Sequence, residues 1–250
     1  ELANPPLRRP RAHANSRKDL PAVGKDGLAG YWDFEGDTGY TVPDRSGCGN
    51  TGDLWARPAT GTFGHAAYCD DTASHIQIPD SPSLHVGKES FSLSLWICPE
   101  TLEPKSADPR RRFISKNGHP SSWWNMNLTS DGKISLELSD NEKHHFGCGS
   151  DAGLPLKQWS HLAVVIDRSA REVRFYVNGK TDASRPLPAS FTGSLDVAGK
   201  DLNLGSTWQP FTGLLDEVKL YKRGLTAAEI AADYDAQHAR YTDASYRILE

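Results

Sequence analysis

The chain has 250 residues, 37% hydrophobic and 24% charged, a length and balance that suit one sizeable domain with its own core. A formal net charge of −4 gives no global attraction to nucleic acid or to an anionic membrane surface, so any polyanion must be held by local groups. No apolar run approaches the roughly 18–20 residues that cross a bilayer, and no membrane insertion is expected.

In chain order, residues 1–26 are rich in Pro and Arg without an apolar period, which predicts a tail or linker ahead of a domain over 27–236. Leu28–Phe34 reads as an opening strand, with Trp32 and Phe34 on one face and Tyr31, Asp33 and Glu35 on the other. The stretch 36–53 is a loop dense in Asp, Gly, Ser and Asn, the oxygen-rich composition that a hard cation such as calcium needs. Short alternating strands follow at Ala67–Pro79 and Phe91–Ile97. In the second, Phe91, Leu93, Leu95 and Ile97 share a face, and Trp96 on the other parity is expected to pack in a second layer.

The middle of the chain carries Arg110-Arg111-Arg112, a strand at Phe113–Lys116, and the pair Trp123-Trp124 followed by Asn125 and Asn127. In an alternating strand one of the two tryptophans must face inward; the sequence does not say which. Asp131-Gly132 predicts a hairpin turn before the strand Lys133–Ser139, and 140–150 reads as a loop holding His144 and His145. Strands at Trp159–Asp167 and Glu172–Val177 lead to Asn178-Gly179, the strongest hairpin signal in the chain. A Pro- and Ser-rich connection at 182–192, a strand at Leu202–Gly205 and a loop bearing Trp208 come next.

Gly213–Tyr221 reads as a closing strand with Leu214, Val218 and Leu220 on one parity and Asp216 facing in with them, an expensive position for a carboxylate unless it is paired or binds a metal. Thr226 and Glu229 form a capping-box pattern that opens one short helix, and 237–250 is a polar tail. The expected fold is all-β, a two-sheet antiparallel sandwich with one short C-terminal helix. Four cysteines, Cys48, Cys69, Cys98 and Cys148, lack the close spacing of zinc ligands, and their even number permits two disulfides. With a single Met and many Trp and Gly, this favours an extracellular or periplasmic protein.

Four blocks carry a family resemblance: Gly30–Gly36 with Asp44–Gly52; Phe91–Ile97; Trp159–Ala163 leading to Val173–Gly179; and Phe211–Ile230, where Leu215-Asp216-Glu217-Val218 and Leu220-Tyr221 stand ahead of Arg223 and Leu225-Thr226. In this order they resemble LamG-like domains of the concanavalin A type, over about residues 28–236. The resemblance implies a jelly roll and a structural calcium near the junction of the first and last strands, carried onto Glu35, Asp37, Asn50 and Asp216. Function it implies weakly, since one scaffold hosts lectins, binding modules, glycanases and lyases. The paired-carboxylate spacings of retaining glycanases on this fold are missing, as are its alginate-lyase patterns, and no catalytic residue is assigned.

Sugar recognition needs flat apolar surfaces and forked polar groups, with Arg or His added where the glycan is acidic. Trp123, Trp124, Arg110, Arg112, Asn125, His144 and Trp208 supply those types. The reading is a carbohydrate-binding module for a polysaccharide or oligosaccharide, a monomer or part of a larger glycan-processing chain. A polysaccharide lyase or hydrolase using the same groove is the runner-up, and a protein-adhesion domain the third.

Overall fold

The structure, a computed structural model, describes residues 25–36, 40–70, 74–104 and 108–238. Asp37, nearly all of the N-terminal tail and residues 239–250 lie outside them. In chain order the elements are β1 (Leu28–Trp32), β2 (Thr41–Val42), β3 (Gly52–Leu54), β4 (Arg57–Thr60), β5 (His65–Asp70), β6 (His75–Ile78), β7 (Phe91–Pro99), β8 (Arg111–Asn117), β9 (Trp123–Leu128), β10 (Lys133–Ser139), β11 (His145–Gly153), β12 (Ser160–Asp167), β13 (Glu172–Val177), β14 (Lys180–Pro186), β15 (Leu202–Gly205), β16 (Thr212–Tyr221) and the helix α1 (Ala227–His238).

They form two antiparallel sheets packed as a jelly-roll sandwich. Sheet A runs β14-β13-β12-β7-β16-β5-β4, with β1 paired onto β16; sheet B runs β11-β10-β9-β8-β15-β6-β3-β2. Alternation decides which residues meet between them. Phe91, Leu93, Leu95 and Ile97 of β7 face inward with Leu162, Val164 and Ile166 of β12, against Trp124, Met126 and Leu128 of β9 and Leu136 and Leu138 of β10. Asn178 and Gly179 both hold positive φ, 50° and 75°, as a two-residue hairpin turn requires between β13 and β14.

Trp96 fills a second layer. Together with Cys98, Tyr68, Trp159 and Leu214 it packs on the outer side of sheet A, where α1 lays Tyr234 over it. The helix opens as its sequence predicts: Thr226 N–H donates to Glu229 Oε2, and Glu229 N–H donates back to Thr226 Oγ1. Ile230 anchors it beside Ala163, Val165, Tyr176 and Tyr221.

Three expectations are corrected. A β-bulge lies between Asp216 and Lys219, with Glu217 at φ 53°, so the parity of β16 changes midway. Leu214 faces outward under α1 while Leu215, Val218 and Leu220 face the core, and Asp216, opposite Trp96, belongs to the outer side. The connection expected over 182–192 begins as strand β14, and the loop expected over 140–150 is mostly strand β11, because both segments complete sheet edges that short-range periodicity does not reveal. All four cysteines are free thiols here; Cys69 and Cys98 face opposite sides of sheet A with β16 between them.

Candidate functional site

Sheet A has its outer face roofed by α1; among the described residues, the outer face of sheet B lies on no other helix or sheet. Register aligns Thr41, Asp53, Gln77, Asn203, Ser115, Asn125, Glu137 and Gly147 in one row across all eight strands of sheet B. Each stands on the parity opposite the core residues, so the row faces outward. The next row holds Arg112 and Asn127 side by side.

The three consecutive arginines take three separate fates. Arg110 lies half-exposed and bridges Asp108 (2.6 Å) and Glu137 (2.5 Å); the hydrogen bonds that Arg110 donates to Asp108 hold that carboxyl down to about 2 and push the guanidinium of Arg110 up. Arg111 turns into the sandwich end beside Leu128, where its Nη1 donates to Pro109 O while Nε and the other Nη have no partner among the described residues. Arg112 faces outward but is only 5% exposed. Its Nε donates to Asn127 Oδ1 at 3.5 Å, and the Asn125 amide, oriented by its hydrogen bonds, accepts from Arg112 Nη2 at 3.2 Å and donates to Trp124 O. Burial lowers the Arg112 guanidinium to about 10.

Trp208 makes the lid of this group. It is 65% exposed and lies over the Arg112 guanidinium, 5.6 Å from carbon to ring centroid. Its loop is tied down beneath: Arg112 N–H donates to Gln209 O, and Gln209 Nε2 donates to Asp108 Oδ2 at 2.5 Å. Asp108, Glu137 and Gln209, which the sequence reading did not single out for ligand binding, therefore belong to the same constellation as Arg110, Arg112, Asn125, Asn127 and Trp208. Glu137 was discoverable as the polar parity of Lys133–Ser139; Gln209 joins through a contact that no local pattern encodes.

The two tryptophans separate. Trp124 is fully buried against Phe91 and takes no part in the outer surface, whereas Trp123 faces out and meets the His145 ring at 5.9 Å across Ser139. His144 lies apart from this group, its Nδ1 3.0 Å from Asp140 Oδ2.

Two places bear on a metal. Asp140, Glu142 and His144 bring one ligand atom each within 4.8 Å of one another, a candidate cluster. Asp140 also accepts from the backbone N–H of Glu142, His144 and Gly193; burial opposes its ionisation, and these hydrogen bonds outweigh burial and lower its pKa. Of the residues assigned to calcium, Glu35 and Asp216 grip one turn from two sides. His65 N–H donates to Glu35 Oε1, while Thr62 N–H and Oγ1–H donate to Asp216 Oδ2. Asn50 is elsewhere: its Nδ2 donates to Ala29 O and Ser83 Oγ, in a loop organised by Asp44, which accepts from Tyr31, Ser46 and Asn50 N–H. The structure thus brings Glu35 and Asp216 to one turn and leaves Asn50 apart.

Under α1 lies a buried charge network. Lys219 Nζ donates to Asp233 Oδ1 at 2.5 Å, Ser94 Oγ donates to Asp233 Oδ2, and Gln237 Nε2 donates to both Asp233 and Glu217. His161 Nε2 sits 3.0 Å from Ser94 Oγ and 3.5 Å from Asp233. Serine, histidine and aspartate meet here without the arrangement of a nucleophilic triad, since the carboxylate and the hydroxyl share one ring nitrogen and all three residues are buried.

With this geometry in view, residues 70–231 match the family described as the concanavalin A-like lectin/glucanases superfamily. Among solved structures, the chain is 24% identical to domain 4 of AbnA, an extracellular GH43 arabinanase from Geobacillus stearothermophilus solved with arabinotriose, at a TM-score of 0.64 over 83% of this chain and 98% of that one. The binding domain of Paraclostridial Mosquitocidal Protein 1 is 17% identical at a TM-score of 0.70, over 85% of this chain and 52% of the other. The botulinum neurotoxin serotype D ligand-binding domain, solved with N-acetylneuraminic acid, is 16% identical at 0.70, over 88% and 53%. This chain spans about half the length of those toxin domains. No protein of curated function matches the sequence. At these identities the neighbours speak for the fold, and the match at 70–231 covers well over half of the sequence: the chain belongs to the concanavalin A-like lectin/glucanases superfamily.

Proposed function

We infer that the chain is a glycan-binding module whose ligand lies on the outer face of sheet B around Arg112, with a preference for a polysaccharide carrying carboxylate or sulfate groups. One observation carries this reading. Arg112 is a nearly buried cation on an outward face, and among the described residues it forms no ion pair: Asp108 and Glu137, the nearby acids, are taken by Arg110. A buried charge without a counter-charge is costly, and an anionic group entering beneath Trp208 supplies the forked acceptor that a guanidinium prefers. Trp208 and Trp123 offer ring faces to sugar carbons, and Asn125 and Ser115 offer hydroxyl partners.

Neighbours on this fold solved with arabinotriose and N-acetylneuraminic acid support a saccharide ligand. A single domain of an extracellular arabinanase, matched over nearly its whole length, supports a secreted module within a larger glycan-processing protein. Calcium belongs to the same reading. The turn gripped by Glu35 and Asp216 offers two carboxylates and the Thr62 hydroxyl, hard oxygens that suit calcium, with the His65 ring nitrogen 3.3 Å from Glu35 Oε2 beside them; the oxygens are the groups to hold it. Chelation with EDTA lowers the melting temperature if the ion is there; an unchanged melting curve removes it.

The test of function is retention on arabinan, galactan, polygalacturonate, alginate and heparin, with chain length followed in the same incubations. Retention on the acidic polymers, absent from the neutral ones, is the expected result. Shortened chains, or an ultraviolet-absorbing unsaturated uronate, make the protein a hydrolase or lyase; retention on none moves the reading to protein adhesion.

A further inference from the structure

A second aromatic platform stands on the same face, on the wing of sheet B far from Trp123. Trp55, just past β3, is 63% exposed and stacks on His75 of β6 with ring centroids 6.5 Å apart and an interplanar angle of 14°. His75 alternates with Ile76 and Ile78 of the core, so it faces outward, and Trp55 N–H donates to His75 O, fixing the indole beside it. Tyr40, at the β2 edge of the sheet, is exposed as well. Thus three of the four large apolar side chains exposed among the described residues flank this sheet: Tyr40 before β2, Trp55 after β3 and Trp208 over Arg112 of β8.

Register links the two platforms. His75 pairs with Gly205 on β15, and Leu204 pairs with Ile114 next to the β8 bulge that carries Arg112. Trp55 and the Trp208–Arg112 pair therefore stand at about the same height along the strands, on β3 and β8, three strand spacings or roughly 14 Å apart. Gly205 raises no side chain between them. Alongside runs the polar row, where Gln77, Asn203 and Ser115 are consecutive partners. One sugar ring does not bridge such a span.

We propose that Trp55 and His75 form a distal sugar subsite, so that the face takes an extended oligosaccharide running across the strands from Trp208 to Trp55, rather than a terminal sugar. This rests on the glycan-binding reading of the Arg112 site and specifies its ligand as an internal stretch of a linear chain. Trp55 supplies a rigid ring face for a sugar several units from the one at Arg112, and Gln77 and Asn203 offer amide groups to the hydroxyls between.

The test compares the intact chain with Trp55→Ala and Trp208→Ala, by calorimetry against dimeric and hexameric fragments of polygalacturonate, alginate, heparin and arabinan. Both side chains are largely exposed, and unchanged melting temperatures confirm that each variant is folded. Trp55→Ala is expected to weaken the hexamer about tenfold and leave the dimer unchanged, whereas Trp208→Ala weakens both. Equal hexamer affinity of Trp55→Ala and the intact chain overturns the distal subsite while leaving the Arg112 site standing. An intact chain that binds no fragment overturns both readings together.

Discussion

The outer faces of the two sheets start from the same device, polar side chains alternating with core residues, and end differently. On sheet A, Lys219 meets Asp233, His161 meets Ser94, and Gln237 adds hydrogen bonds to Asp233 and Glu217 from a helix laid on top. Sheet B also buries a cation on its outer side, but Arg112 has amide oxygens and an indole for company and no carboxylate of its own. At the sandwich end Lys116 repeats the first solution, donating to Asp80 at 2.5 Å and to Lys200 O. A buried charge that is matched within the chain is architecture; Arg111 and Arg112 both lack an ion pair among the described residues, and of the two only Arg112 stands on an outer face, which is why the binding proposal rests on it.

The strongest way to break this comparison is to unmatch the matched side. Asp233→Ala strands Lys219 and His161 under α1 and is expected to cost about 3–5 kcal/mol in urea unfolding; a loss under ~1 kcal/mol removes the claim that this network is structural. Trp124→Ala opens the core by a similar amount, about 3–5 kcal/mol. Trp123→Ala, on the open face, leaves the unfolding midpoint near that of the intact chain and reduces glycan retention instead; equal destabilisation by both would contradict the opposed facing of the two rings.

A smaller effect is expected with pH. Burial opposes ionisation of Asp80, yet hydrogen bonds from Lys116, the Gly199 N–H and His85 outweigh it and hold its pKa at about 2, against an ordinary 3.8. Because the folded value is depressed, Asp80 stabilises the protein fully above 3.8, and that contribution drains away as pH falls towards about 2. Asp80→Asn should flatten this acid limb in unfolding measurements at a series of pH values; an unaltered limb assigns it to other carboxylates. A small change in stability is likewise expected of Arg112→Met, which replaces a buried cation without an ion pair among the described residues by an apolar chain of similar length. It should stay within ~1 kcal/mol of the intact protein while losing retention on acidic glycans. A large destabilisation would show that Arg112 is matched after all.

Much of the fold was legible because alternation and turn chemistry are local. Phe91–Ile97, Asn178-Gly179 and the Thr226–Glu229 capping box all formed as read. The bulge at Asp216 was not legible, because one extra residue shifts every later side chain to the other face without altering composition, and Asp216 was accordingly placed on the wrong side. The candidate site was legible in residue types only. Arg110, Arg111 and Arg112 are identical letters with three environments, and what separates them is a cross-strand partner in Glu137, an inward turn and a lid from Trp208. The Trp55–His75 stack went unseen for the same reason: its rings come from strands that are neighbours in space and 20 positions apart in the chain.

The helix has a consequence for valence. An open sandwich offers two broad faces and is able in principle to bridge two polymer strands. With α1 laid on sheet A, the proposed glycan site leaves each copy one binding face among the described residues, and on that reading a copy decorates a polymer without crosslinking it. Gelling or bundling a polysaccharide then requires at least two copies held together, and avidity is set by how the modules are tethered rather than by the fold itself.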